Sequence, residues 1–312
     1  MRRYNQGLFF VSLLMMLGGF SSPAHAGATA WIDIEVVDGL LWIESEVGGL
    51  PGRSIIDTGA SVTAINEQFV KSSGLSFKEG RDTTIVGAVS QEERPTFLDV
   101  DTVMFETPLK FAKVVDLNLG PPEIQLLLGA NFLDGYVIQF DYPNERMRLI
   151  SRDSINLKKL KNIKSKKGRD TDGVLVRLAL DGNKKSWLLL DTGASMGLVV
   201  SRRIAHRMDW AGKYQTQESR TVGVNSETTM QNFRVPSVQI GPYSVENVLV
   251  SIPQADDEMK LFERNQASTS RLNRRNEMDG VLGYDVLKHF VVTVDYGKGY
   301  VHLGPSEKVT ED

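Results

Sequence analysis

Asp57-Thr58-Gly59-Ala60-Ser61 recurs 134 residues later as Asp191-Thr192-Gly193-Ala194-Ser195. The register extends upstream without a gap: Gly39 falls on Gly173, Leu41 on Leu175 and Gly48 on Gly182. In each copy an apolar run leads into the Asp, Ser54-Ile55-Ile56 in the first and Trp187-Leu188-Leu189-Leu190 in the second. Downstream, Leu127-Leu128-Gly129 matches Val281-Leu282-Gly283 and Asp141-Tyr142 matches Asp295-Tyr296, both at an offset of 154. The second copy is therefore 20 residues longer between its anchors. The excess is expected at 254–278, a charged stretch without strand period that reads as a surface loop or short helical excursion. Repetition on this scale makes the chain two versions of one folding unit.

Around these anchors the local pattern is mostly strand. Gly39–Val47, Ser54–Ile56, Val137–Phe140, Val174–Leu180, Leu188–Leu190 and Val291–Val294 are short, apolar or alternating, and bounded by Gly, Asp or Pro. Helices are expected to be short, with Asn66 and Ser201 as N-caps. The long helices of a doubly wound α/β protein are missing, so the fold class is all-β with two similar lobes. Residues 27–150 form the first lobe and 171–305 the second, with a tail at 306–312. Between the lobes, 151–170 reads as a linker; Lys158 to Arg169 holds six Lys and one Arg with no acid. The four Trp (Trp31, Trp42, Trp187, Trp210) are expected in the core rather than along a binding wall.

The first 26 residues read as a signal peptide. Arg2 and Arg3 precede the apolar Leu8–Phe20, and Ala24-His25-Ala26 fits an A-x-A cleavage site. The mature protein is then expected in a periplasm or outside the cell, with no stable membrane span after cleavage. Across the 312 residues, 36 Lys+Arg against 39 Asp+Glu give a net charge of -3, which excludes a simple polybasic nucleic-acid binder. Zero Cys excludes disulfides, thiolate metal sites and cysteine nucleophiles. The four His lack short metal-ligand spacing. No metal and no cofactor is expected.

An apolar-apolar-Asp-Thr-Gly-Ala-Ser segment, followed some tens of residues later by apolar-apolar-Gly, resembles one lobe of an aspartic protease. Here the resemblance covers nearly all of the chain beyond residue 26, twice. Its nearest form is the bacterial exported, retropepsin-like group with two units in one polypeptide. The resemblance implies a bilobal fold with its active site at the lobe interface and Asp57 and Asp191 as the catalytic pair. Thr58 and Thr192 would bond across that interface. Gly59 and Gly193, with Ser61 and Ser195, would complete the active-site loops, and Gly129 and Gly283 would serve as scaffold where a later strand passes behind them. The implied activity is aspartic endopeptidase cleavage of extended polypeptides.

The chemistry explains why two copies are needed. One ionised carboxylate can take a proton from a water while a protonated partner polarises the carbonyl. At about 3 Å and an effective dielectric of about 20, two such charges repel by roughly 5 kcal/mol, so the pair keeps one proton. Ala60 and Ala194 stand where pepsin-like relatives usually carry a hydroxyl that stabilises the ionised form, which implies a less acidic optimum than a digestive pepsin's. Candidate flaps are 84–92 and 221–227, where Val86-Gly87 matches Val222-Gly223 and Gly87 and Gly223 suit hairpin tips. Substrate is expected to enter as an extended strand, and the lobes to pair within one chain as a monomer.

Two other readings compete. Gly193-Ala194-Ser195-Met196-Gly197 satisfies the G-x-S-x-G nucleophile elbow of serine hydrolases, with His289 and His302 downstream. Its aligned copy Gly59-Ala60-Ser61-Val62-Thr63 lacks the second Gly, and no βαβ series surrounds it. A duplicated β-domain that binds peptides without cutting them is the non-enzymatic reading.

Overall fold

A computed structural model describes residues 27–86, 91–169, 171–180, 182, 184–210, 212–223, 226–254 and 278–306. The expected leader at 1–26, Gly87, nearly all of the 254–278 insertion and most of the tail lie outside the described residues.

Each lobe is a sheet closed on itself. In the first, six strands run in the order Leu40–Val47, Leu50–Ile56, Ile124–Leu128, Ala64–Asn66, Thr107–Leu117 and Thr96–Met104, and the last pairs back to the first. In the second the order is Val174–Leu180, Lys184–Leu190, Gly280–Leu282, Leu198–Val200, Tyr243–Pro253 and Ser226–Ile240, with the same return. The two barrels match strand for strand, which is the repeat seen in three dimensions. Closure leaves few edges for stray pairing.

Local sequence accounts for the turns. Asp38-Gly39 (φ 51° and 79°) and Gly48-Gly49 (φ 59° and 84°) supply the paired positive φ angles of two-residue hairpins on either side of Leu40–Val47. Along that strand exposure alternates, with Leu41, Ile43 and Val47 in the core. The helix Glu67–Ser73 is capped by Asn66, whose Oδ1 accepts from the Gln68 N–H, and ends at Gly74 with φ 70°. Ser201 precedes Arg202–Arg207 as expected but makes no side-chain cap bond.

A third sheet joins the lobes. Val137–Asp141 and Val291–Asp295 do not close their own barrels; they pair antiparallel with each other. Ile32–Asp33, Arg146–Ile150 and Tyr300–Gly304 complete five strands drawn from both halves. Two-fold repetition permits this, because equivalent strands of two copies can meet across a local two-fold axis. Ile138, Phe140, Val292 and Val294 on these strands are buried in one apolar cluster that runs through both lobes.

The basic segment is more ordered than a solvated linker. Leu157–Leu160 forms a short helix, and Ser165–Lys167 pairs antiparallel with Val174–Val176 at the edge of the second lobe. Asn162 ties the segment to Tyr300–Gly304, its amide donating to Leu303 O at 2.7 Å and its Oδ1 accepting from Leu303 N at 2.9 Å. Of the four Trp, only Trp210 is a core residue. Trp31, Trp42 and Trp187 are partly exposed under cationic side chains, with Arg146, Arg53 and Lys166 at 4.3, 4.6 and 4.6 Å from the respective rings.

Candidate active site

The two Asp-Thr-Gly loops meet between the barrels. Each Asp is placed by the strand it ends and by the parallel strand beside it. The Asp57 N–H donates to Leu128 O at 3.1 Å, and the Asp191 N–H to Leu282 O at 3.0 Å. The later glycines then turn the chain behind each loop: Ala130 N–H donates to Ala60 O at 2.9 Å, and Tyr284 N–H to Ala194 O at 2.8 Å. A Cβ on Gly129 would sit 2.3 Å from Val62 O, and one on Gly283 would sit 2.4 Å from both Ala194 O and Met196 O. Space, not backbone angle, requires glycine there.

Thr58 and Thr192 lock the loops together. Thr58 N–H donates to Thr192 Oγ1 at 3.0 Å, and Thr192 N–H to Thr58 Oγ1 at 2.9 Å. Each hydroxyl in turn donates a hydrogen bond across the interface, Thr58 to Leu190 O at 2.9 Å and Thr192 to Ile56 O at 2.7 Å. Both threonines are buried, so all four bonds are shielded from water. Gly59 and Gly193 keep the carboxyls close: a Cβ on Gly59 would fall 2.5 Å from Asp191 Cγ, and one on Gly193 2.4 Å from Asp57 Cγ.

Asp57 and Asp191 lie within hydrogen-bonding reach of each other. Their main-chain partners differ. Asp57 Oδ1 accepts from Gly59 N at 2.7 Å and Ala60 N at 2.9 Å. Asp191 Oδ1 accepts from Gly193 N at 2.8 Å, while Ala194 N turns to the Asp191 backbone carbonyl at 3.4 Å. Burial pushes the Asp57 carboxyl up, opposed by the Gly59 N–H, the bond with Asp191 and the Ala60 N–H. Asp191 is pushed well above the ordinary range, by burial first and then by the Asp57 charge.

The shift at Asp191 makes stability depend on pH. A carboxyl whose folded pKa is raised binds its proton more tightly in the native state than in the unfolded chain. Its contribution is fully present below the unfolded value of 3.8 and is lost as pH rises through the folded value. Asp191→Asn cannot ionise, so its melting temperature should exceed that of the wild type at pH 7 to 8, with the gap closing below about pH 4. Thermal scans over that range check it; parallel curves at every pH would contradict it.

Sequence reasoning missed Tyr296. Its buried hydroxyl donates to Thr58 O, under the locked loop. The repeated Asp-Tyr pair was the available signal, but spacing alone gave it no role. Its counterpart Tyr142 packs 6.0 Å from the Tyr284 ring, and its buried hydroxyl has no hydrogen-bond partner among the described residues. The Asp of each pair pins its own turn, Asp141 accepting from Arg146 Nε at 3.0 Å and Asp295 from Lys298 N at 3.0 Å; Asp295 also accepts from Arg152 Nε, from the segment between the lobes, at 3.0 Å.

Ser61 and Ser195 are brought less close. Both are exposed, and neither hydroxyl bonds to a described residue. His302 Nδ1 sits 2.8 Å from Leu160 O, and His289 is exposed; neither contacts Ser195. The elbow reading therefore lacks its base, and Ser195→Ala should retain at least about half of the wild-type kcat, since no general base activates that hydroxyl. A steady-state assay showing its activity abolished would revive that reading. Of the candidate flap tips, Gly223 pairs with Ser226 at the end of a long hairpin. Thr83–Val86 and Gln91–Arg94 form the matching hairpin that flanks Gly87.

Comparison with known families finds one match in each half of the chain. A model described as "gag-polyprotein putative aspartyl protease" matches residues 43–135, and one described as "Aspartyl protease" matches 176–286. The chain belongs to the retropepsin- and pepsin-like aspartic protease family. It is a peptide hydrolase of the aspartic type. The fold of this protease is similar to that of the aspartic proteinase from Irpex lacteus, at a TM-score of 0.53 and 10% identity, covering 90% of this chain and 98% of that one. No curated protein matches it in sequence. Among the described residues, no helix of the protease is long and apolar enough to cross a membrane, and no cluster of His, Asp and Glu could hold a metal ion.

Proposed function

We propose that this protease is an exported, monomeric endopeptidase that cleaves extended polypeptides with a water held between Asp57 and Asp191. The observation that carries the reading is the reciprocal threonine lock, which brings one carboxyl from each half of a single chain into mutual reach. Asp57 is the ionised base, because two main-chain N–H groups favour its charge. Asp191, to which its own loop donates only the Gly193 N–H, is the protonated acid. Asp57 takes a proton from the water as its oxygen attacks the scissile carbonyl carbon. Asp191 gives its proton to the carbonyl oxygen, and the tetrahedral intermediate then collapses with proton transfer to the leaving amine. Burial at the lobe interface strengthens each of these interactions.

Substrate lies as a strand between the lobes, beneath the strand pairs Thr83–Val86 with Gln91–Arg94 and Gln217–Gly223 with Ser226–Asn232. With alanine at 60 and 194, the activity optimum lies above that of digestive pepsin. Export rests on residues 2–26 of the sequence alone. The test is incubation of the purified protein with a library of unmodified peptides, with fragments read by mass spectrometry. Cuts at internal bonds support an endopeptidase. Peptide retention without fragments would favour the binding-protein reading.

A further inference from the structure

We infer that the basic segment at 158–164 is a docking surface for anionic phospholipid. Lys158, Lys159, Lys161 and Lys164 are all exposed there, and no acid occurs between residues 154 and 169. Seven cationic residues fall between 158 and 169; with a net charge of -3 for the whole chain, the remainder carries -10. The stretch is thus strongly net positive, against a net negative remainder.

Charge alone does not choose a lipid. Leu160 does: it stands among these lysines with 54% of its surface exposed, more than any other large apolar side chain described. An apolar side chain ringed by lysines suits a bilayer interface, where the chain enters the acyl boundary and the ammonium groups meet phosphates. A nucleic-acid backbone offers the charges but no apolar phase for Leu160. The surface is also held in place. His302 Nδ1 is 2.8 Å from Leu160 O, and Lys161 Nζ lies 4.7 Å from the centre of the Tyr300 ring. The segment is therefore anchored to the sheet that joins the lobes, and docking does not have to order it.

The test is co-sedimentation of the purified protein with vesicles of phosphatidylcholine alone or mixed with phosphatidylglycerol, across a salt series. An apolar leader would hold both vesicle types alike, so the difference between them reads the basic surface. The wild type should bind the anionic vesicles preferentially, and less as salt rises. At about fivefold per lysine, the K158Q/K159Q/K161Q/K164Q variant should bind them at least about a hundredfold more weakly. Leu160→Ser should lose roughly tenfold. Both variants should keep wild-type cleavage of a soluble peptide, which reports that they fold. Equal binding to both vesicle types, or undiminished anionic binding by the quadruple variant, would overturn the proposal. So would binding of duplex DNA in place of the vesicles.

Discussion

Asp57→Asn and Asp191→Asn should each lower kcat by about 10³- to 10⁴-fold, with KM changed little, because in the proposed mechanism each removes a proton carrier that acts in the transition state. In Asp57→Asn the new amide cannot accept the proton of the attacking water. In Asp191→Asn the amide keeps a donor near the carbonyl oxygen but has no proton to transfer to it, so the tetrahedral intermediate cannot form with its oxygen protonated. Neither substitution disturbs the threonine lock, whose bonds run through Thr58, Thr192, Ile56 and Leu190. Loss of rate should therefore come without loss of fold, and Asp191→Asn should be the more stable protein at neutral pH. Steady-state kinetics on a cleaved library peptide, with circular dichroism on the same samples, check both halves. Retention of more than about a tenth of the wild-type rate by either variant would show that its carboxyl is dispensable.

Thr58→Val should produce the largest loss of stability. Its hydroxyl accepts one buried N–H and donates to one buried carbonyl in the opposite lobe. Valine fills the space and leaves both groups unsatisfied, at about 1–3 kcal/mol each. For a chain of this size that is a fall in melting temperature of roughly 5–15 °C. Activity should fall with it, since a displacement of about 1 Å between the loops can cost about a hundredfold in rate. Thr192→Val should match it, and the double variant should lose much less than the sum, because the two hydroxyls act as one unit. Serine at either position preserves the bonds and should restore most of both properties. A valine variant that melts within about 1 °C of the wild type would refute the lock.

Much of this arrangement was legible because it was written twice. The Asp-Thr-Gly copies, their leading apolar strands and the later Leu128-Gly129 and Leu282-Gly283 steps fall on equivalent barrel positions, so internal alignment alone places them. The strand at 39–47 was legible from its alternation and its bounding glycines, which the structure shows at positive φ. Pairing between copies was not. Val137–Asp141 reads as an apolar strand in either barrel or in a joint sheet, and only tertiary structure chooses Val291–Asp295 as its neighbour. The basic segment misled for a related reason. Lys158, Lys159, Lys161 and Lys164 are solvated as composition predicts, but Leu157, Ile163 and Asn162 among them seat the segment against Tyr300–Gly304. Trp31, Trp42 and Trp187 fit no core pattern because cations cover a face of each ring, although Trp187 also packs against the buried cluster around Leu175 and Leu189.

One assay bears on the whole mechanism: cleavage of a peptide library by the wild type, by Asp57→Asn, by Asp191→Asn and by an equimolar mixture of the two variants. A dyad assembled within one chain predicts fragments from the wild type and none above background from the other three samples. Fragments from either single variant would remove that carboxyl from the chemistry. Fragments from the mixture alone would show that active sites form between chains.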